Sequence, residues 1–119
     1  MVEPAHLVGT GGAIGAICRY VVGQWLANDR FPFGTLAVNV GGSFALGLVT
    51  FASLGGEVIL LVGTGACGSF TTYSSFSTET VRLWETGDRL RASLYAGGTL
   101  CLCVAAAGTA GVLITTLSG

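Results

Sequence analysis

A run of hydroxyl side chains lies within an otherwise apolar chain. In the stretch FTTYSSFSTET, residues 70–80, eight of the last ten residues carry a hydroxyl. Tyr73 and Phe76 are three residues apart, so a helix would place both rings on one face, beside the hydroxyls of Ser74 and Ser75. Aromatic rings have electropositive edges and hydroxyls are neutral donors, so these side chains could pass a small anion without trapping it. Ordinary helix packing is the alternative interpretation.

Three more polar side chains fall in or beside apolar segments, where polar groups are costly and are therefore functional candidates. Arg19 could draw anions into a vestibule, or anchor a helix through backbone carbonyls. Asn39 offers two N–H donors and one acceptor, either to an anion or to a neighbouring helix. Glu79 continues the three-residue step of the aromatic pair and could mark the mouth of a pathway or an interface.

The composition predicts an integral membrane protein. Of 119 residues, 51% are hydrophobic and only 9% are charged, whereas a soluble domain carries about a quarter charged residues. The 20 glycines suit helices that approach one another closely. A net charge of −1 without a basic run excludes nucleic-acid binding. The chain also lacks a nucleophile–base pair and a phosphate loop, so we do not expect an enzyme.

Three apolar segments are long enough to cross a bilayer as helices, a distance that takes roughly 20 residues. They are residues 7–26, 34–54 and 92–117. The first lacks the basic start of a signal peptide, so we interpret it as a mature helix. A fourth apolar run, residues 58–70, would reach only about 20 Å as a helix, so the hydroxyl stretch must complete that span.

In chain order, the span that begins with residues 58–70 is the third of four, and it is predicted to be broken at mid-membrane. Gly63, Gly65 and Gly68 precede the hydroxyl run, and non-helical backbone is tolerated at that depth where it lines a cavity or binds an ion. A re-entrant segment, or hydroxyls that bond to their own helix, is the alternative.

Small residues at close-packing spacing predict intimate helix contacts in the other three spans. The pairs are Gly11 and Gly15, Ser43 and Gly47, and Ala107 and Gly111. The four cysteines are expected to be small, buried packing residues, with a metal or disulfide role as the alternative. Residues 1–119 thus form a single four-helix domain with little interior of its own, and a polar pathway would lie between subunits, most simply in a dimer.

Three motifs together resemble the Fluc (CrcB) fluoride channel family: GGAIGAICRY at residues 11–20, FGTLAVNVGGSFALG at 33–47 and GACGSFTTYSSFSTE at 65–79. The likeness covers all four spans in order. It implies a multi-pass protein of the cell membrane that exports cytoplasmic fluoride passively and gives fluoride resistance. It also implies an all-α, antiparallel (dual-topology) dimer with two pores along the interface and a structural sodium ion on the two-fold axis.

The resemblance also assigns roles to individual residues. It places the break in the third helix at residues 67–72, with the backbone carbonyls of Gly68 and Thr71 as sodium ligands. It assigns Asn39 as the pore asparagine, and Tyr73 and Phe76 as the aromatics that face the anion. Ser74 and Ser75 would form the hydroxyl track. Arg19 and Glu79 match the family's arginine and its glutamate after the second aromatic. Tyr73 departs from the usual phenylalanine, and its hydroxyl could bind the anion too strongly.

The arginines predict the orientation of the subunit. Arg30, Arg82, Arg89 and Arg91 fall in the first and third connections, and none lies on the side of the termini. Positive residues in short loops remain cytoplasmic, so the termini are expected to face outward. An oppositely oriented homologue would then be the partner, with a homodimer as the alternative.

Two other functions compete with a fluoride channel. A small multidrug exporter also has four spans, but it needs a carboxylate in the middle of its first span, where this chain has Arg19. The second is a non-conducting partner subunit of a heterodimeric fluoride channel.

Overall fold

In the computed structural model, residues 3–26 and 31–118 are described, and all regular elements within them are helical. Arg30 of the first connection lies outside these ranges. The elements are α1 (Pro4–Trp25), α2 (Phe33–Phe51), α3 (Gly56–Val58), a π-helix (Ile59–Cys67), α4 (Gly68–Phe70), α5 (Tyr73–Glu85) and α6 (Arg89–Ser118).

Three of these helices, α1, α2 and α6, are long and apolar enough to cross a membrane by length and composition. They confirm the three long segments expected from the sequence. Large apolar side chains on them are exposed, among them Ile17 (64%), Leu100 (66%) and Val112 (66%). A surface of this kind suits lipid rather than water, which supports a membrane protein.

Close contacts define the directions of the helices. Gly34 at the start of α2 lies against Gly23 near the end of α1, so these two helices meet at the ends that their connection joins. Gly47 and Phe51 of α2 lie against the second half of α6, whereas Phe31, just before α2, meets Tyr95 near the start of α6. Helices α2 and α6 therefore run in the same direction.

The third segment, residues 56–85, runs opposite to α2 along most of its length. Gly63 lies beside Val49, and Glu79 accepts a hydrogen bond from Thr35 near the start of α2. The segment is divided among α3, the π-helix, α4 and α5. The described part of the chain thus contains four helical segments that pack parallel or antiparallel to one another, of which only the third is interrupted.

The interruption is shorter than the expected range of residues 67–72. The backbone stays helical through Phe70, and only Thr71 (ψ 156°) and Thr72 (φ −147°, ψ 120°) are extended. Gly63, Gly65 and Gly68, which precede the hydroxyl run, all lie within helical turns. The break instead follows the glycines, at two threonines.

Glycines bring the π-helix against α1. A Cβ on Gly11 would collide with the carbonyl oxygen of Leu61, and one on Gly15 would collide with the carbonyl of Ala66 and the hydroxyl of Ser69. Ser69 also donates to the carbonyl of Gly12 at 2.7 Å. The predicted close contacts of Gly11 and Gly15 are therefore confirmed, and they lie within one subunit.

The second pair of close-packed helices is α2 and α6. A Cβ on Gly47 would lie 2.8 Å from the Cβ of Ala110 and 2.9 Å from the carbonyl oxygen of Ala107, and Gly111 lies against the ring of Phe51. The cysteines follow the expectation only in part. Cys67 is buried, whereas Cys18 and Cys101 are exposed, which suits side chains that face lipid.

Candidate functional site

The break in the third segment is held by Asn39 of α2. The Asn39 amide nitrogen donates to the carbonyl of Thr72 at 3.1 Å, and the Thr72 backbone N–H donates to Asn39 Oδ1 at 2.8 Å. Thr72 also begins α5, since its hydroxyl accepts the N–H of Ser75 at 3.2 Å and so caps the helix. Of the hydrogen-bonding groups of Asn39, one amide N–H is left for another acceptor.

This arrangement removes the usual donors from two backbone carbonyls. In a continuous helix, Gly68 would accept from the N–H of Thr72 and Thr71 from that of Ser75. Those two N–H groups instead donate to Asn39 and to the Thr72 hydroxyl. Within the described residues no other hydrogen bond reaches either carbonyl, so both are free to coordinate a cation. They are the two sodium ligands that the resemblance implies.

A groove of about 650 Å³ lies beside the break. No charged side chain from the described parts of the chain lines it. Its lining consists of polar side chains and small or apolar residues: Asn39, Gly42, Ser43, Leu46, Ile59, Gly63, Thr64, Cys67, Gly68, Thr71, Thr72, Tyr73, Phe76, Thr99, Leu100 and Cys103.

The two predicted aromatics both line this groove. Their ring centroids are 6.2 Å apart with the planes tilted by 43°, which confirms that Tyr73 and Phe76 share one face of α5. Tyr73 is 81% exposed, whereas Phe76 is half-buried against Tyr95, with ring centroids 5.3 Å apart. Tyr73 therefore marks a side of the groove that the chain by itself leaves open.

The two predicted serines line a different cavity. Ser74 and Ser75 lie with Thr78 and Glu79 around a space of about 260 Å³. The Glu79 carboxylate accepts a hydrogen bond from the hydroxyl of Thr35, so it is held against the start of α2. The structure thus divides the predicted pore residues between a neutral groove and a smaller cavity with one carboxylate.

Two buried hydroxyls at the site went unrecognised in the sequence. Tyr95 and Thr99 of α6 are 1% and 4% exposed, and the structure gives neither hydroxyl a hydrogen-bond partner among the residues it describes. Thr99 lines the neutral groove and Tyr95 packs on Phe76. An unpaired buried hydroxyl costs about 1–3 kcal/mol, so Thr99, which lines the groove, is a candidate for contact with a ligand.

Comparison with known proteins gives the family. A model of the family described as CrcB-like protein, camphor resistance (CrcB), matches residues 6–112. The chain belongs to the CrcB family.

Curated relatives of this CrcB chain cover most of its length. It is 57% identical over 108 residues to the fluoride-specific ion channel FluC 2 of Haloarcula marismortui, with 91% of each chain covered. It is 46% identical to the fluoride-specific ion channel FluC 1 of Halobacterium salinarum, with 82% of each covered. It is 44% identical to FluC of Rhizobium etli, with 86% of this chain and 88% of the relative covered. These names are those of ion channels and not of enzymes.

One predicted residue lies apart from the grooves of this CrcB chain. Arg19 of α1 is partly exposed and lines neither the neutral groove nor the smaller cavity. It forms no ion pair with another residue that the structure describes. Its guanidinium is therefore available to an anion or to a second chain, and its role in a vestibule stays a prediction.

Sequence reasoning could have found Tyr95 and Thr99 from their spacing. They are four residues apart, and Cys103 follows after four more, so the three lie on one face of α6. Hydroxyls repeated at that spacing in an apolar helix are a polar stripe. Thr35 and Thr72 could not have been found in this way, because their roles come from contacts with distant segments.

Proposed function

We propose that this chain forms a fluoride-selective channel of the cell membrane that lets cytoplasmic fluoride leave passively. The single observation that carries the proposal is the neutral groove, which joins aromatic rings, an asparagine and a buried unpartnered hydroxyl, with no charged side chain among the described residues that line it. The fluoride-specific names of relatives up to 57% identical support the choice of ion.

The groove offers a small anion replacements for its hydration shell. The hydroxyl of Thr99 can donate, and so can the remaining N–H of Asn39. The edges of Tyr73 and Phe76 are electropositive. Since none of these groups carries a full positive charge, an anion would be held weakly enough to leave, as conduction requires.

A second subunit completes the pathway in this proposal. The single chain measures 52 × 33 × 20 Å, and the ring of Tyr73 is 81% exposed at mid-segment. We propose an antiparallel dimer in which each subunit covers the groove of the other. In each subunit the third segment, residues 56–85, would cross the membrane in addition to α1, α2 and α6. Two pores would then lie along the interface.

The charges at the two ends bear on the choice of partner. Arg82, Arg89 and Arg91 lie where α5 ends and α6 begins, at the same end as the α1–α2 connection, whereas Glu3 and Glu57 lie at the opposite end. An excess of arginines at one end of a membrane protein orients that end toward the cytoplasm. It favours pairing with an oppositely oriented homologue, and a homodimer is the other form of the proposal.

Sodium fits the break as a structural ion. Na⁺ prefers oxygen ligands, and the break leaves the carbonyls of Gly68 and Thr71 without their helical donors. Two such carbonyls from each subunit would supply four oxygens. The ion would hold the two breaks together and would balance the dipoles of the carbonyls that face one another.

The lining of the groove argues against the two competing functions. An exporter of organic cations needs a carboxylate to bind them, and no charged residue of the described chain lines the groove. A non-conducting partner subunit needs no polar groove, yet Thr99 has an unpaired hydroxyl in this groove.

The test is ion efflux from liposomes that contain the purified chain, measured with fluoride and chloride electrodes, with protein-free liposomes as the control. We expect fast fluoride efflux and chloride efflux at the background rate. Equal efflux of both ions would contradict selectivity, and proton-driven uptake of cationic dyes without fluoride efflux would favour the exporter. Efflux only after co-reconstitution with an oppositely oriented homologue would identify a heterodimer.

A further inference from the structure

Two free thiols line the neutral groove, and the proposed conduction of fluoride uses neither of them. Cys67 of the π-helix is buried, and Cys103 of α6 is partly exposed. Both belong to the lining of the groove. Cys18 and Cys101 are exposed and line neither the neutral groove nor the smaller cavity. The chain therefore has two thiols in the groove and two outside it.

Contacts with α2 bracket the depth of Cys67 in the groove. Cys67 lies about one helical turn after Gly63 and about one turn before Thr71. Gly63 lies against the side chain of Leu46. Thr71 lies against Gly42. Because the third segment runs opposite to α2, Cys67 lies at a depth between those of Gly42 and Leu46.

Cys103 lies at the same depth on α6. Ala107, one turn further along α6, lies against Gly47 of α2. Since α2 and α6 run in the same direction, Cys103 is level with Ser43, one turn before Gly47. Ser43 belongs to the stretch of α2 that brackets Cys67, and it lines the groove. Helix α2 packs against both the π-helix and α6, so the two thiols share one level of the groove above α2.

The chemistry of this pair of thiols favours a soft metal ion. Thiolate sulfur selects soft ions such as Cu⁺, and Ag⁺ belongs to the same class. These ions are satisfied by two sulfur ligands, whereas a structural zinc ion takes four ligands. The described ranges contain no group of three or more His, Cys, Asp or Glu side chains that could hold a metal. The buried, unpaired hydroxyl of Thr99 lines the same groove one turn from Cys103, so it supplies a free oxygen beside such an ion.

We propose that Cys67 and Cys103 bind one soft monovalent metal ion, of the class of Ag⁺ and Cu⁺, and that this ion closes the anion pathway. The inference rests on the proposed function. Each thiol releases its proton to water as it binds the metal, so two thiolates and one monovalent cation leave a single negative charge in the groove. That charge lies one turn from Thr99, where it repels fluoride.

The experiment measures fluoride efflux from proteoliposomes before and after addition of silver nitrate, in buffers without chloride because silver chloride is insoluble. In the unmodified chain, silver should reduce efflux to the rate of protein-free liposomes, and dithiothreitol should restore it by competing for the metal. The variant Cys67→Ala/Cys103→Ala should conduct equally with and without silver.

Cys18→Ala/Cys101→Ala is the matched control, since it removes the same number of thiols from outside the groove. Its efflux should remain sensitive to silver. Block that persists without the two groove thiols, or that disappears in the control, would overturn the inference. A single variant, Cys67→Ala or Cys103→Ala, that is blocked at the same silver concentration as the unmodified chain would contradict a site shared by both thiols.

A second measurement needs neither a folded groove variant nor ion transport. In Cys18→Ala/Cys101→Ala only the groove thiols remain, and native mass spectrometry should find one silver ion per chain. Two silver ions per chain, or none, would refute the shared site. A chain that conducts fluoride but binds no silver would refute this inference alone, whereas a chain that binds one silver ion without any fluoride efflux would refute the proposed function.

Discussion

Asn39 and Thr72 pair through two hydrogen bonds, each donating one and accepting one. The side-chain amide of Asn39 thereby replaces the helical partners that the extended backbone of Thr72 lacks. The same pairing takes the Thr72 N–H away from the carbonyl of Gly68. One side chain of α2 therefore fixes the position of the break and leaves the Gly68 carbonyl without its helical donor.

Removal of the Asn39 amide should destabilise the protein. In Asn39→Ala, the N–H and carbonyl of Thr72 lose their partners, and each unsatisfied group costs about 1–3 kcal/mol. We expect the free energy of unfolding, measured by denaturant titration in detergent, to fall by about 2–4 kcal/mol.

Ser43→Ala is the control for this variant. Ser43 lines the same groove, but its hydroxyl makes no hydrogen bond to the described residues. The free energy of unfolding of Ser43→Ala should therefore change by no more than about 0.5 kcal/mol. Equal stability of the two variants would show that the pairing of Asn39 with Thr72 does not hold the break.

Alanine at Gly11 should prevent normal packing of α1 on the π-helix. The added methyl would collide with the backbone carbonyl of Leu61, which cannot move without distorting the π-helix. We expect the free energy of unfolding to fall by at least about 1–3 kcal/mol. The fall would be seen as a lower thermal midpoint and as aggregation on gel filtration. Gly9→Ala is the control, since nothing lies within 4 Å of its added methyl. A well-folded Gly11→Ala protein would contradict this helix contact.

Sodium should stabilise the assembled protein if the carbonyls of Gly68 and Thr71 bind it. An ion present at 100 times its dissociation constant adds about 2.7 kcal/mol to the stability of the state that binds it. We therefore expect a higher unfolding midpoint in NaCl than in N-methyl-D-glucamine chloride at equal ionic strength. The difference should shrink in Asn39→Ala, which disturbs the break. Identical midpoints in the two salts would exclude a structural sodium ion.

The sequence predicted the main features of the fold because those features depend on local composition. The three long helices end within three residues of the expected positions, since hydrophobic length alone determines them. The shared face of Tyr73 and Phe76 follows from helical spacing, and it is confirmed. The contacts of Gly11 and Gly15 follow from the small size of glycine.

The rest depends on contacts between distant segments. The break lies within the predicted range of residues 67–72, but its position within that range is set by Asn39, 33 residues before Thr72. The π-helix has no local sequence pattern that distinguishes it from an α-helix. Ser74 and Ser75 are predicted beside the aromatics, yet they face a separate cavity, because successive residues of a helix are rotated by about 100° and those between Tyr73 and Phe76 point away from the face that the two rings share.

The most direct test of the central claim compares Thr99→Val with Thr109→Val on the same helix, because only Thr99 lines the neutral groove with an unpaired, buried hydroxyl. The replacement has nearly the same shape and removes an unsatisfied polar group, so stability should stay equal or rise by about 1 kcal/mol. If that hydroxyl donates to fluoride, efflux from proteoliposomes should nevertheless fall about tenfold or more, the equivalent of one lost hydrogen bond to a charged group. Thr109, which is exposed, should tolerate valine without change in flux. Full fluoride efflux in Thr99→Val would contradict the claim that the ion passes through this groove.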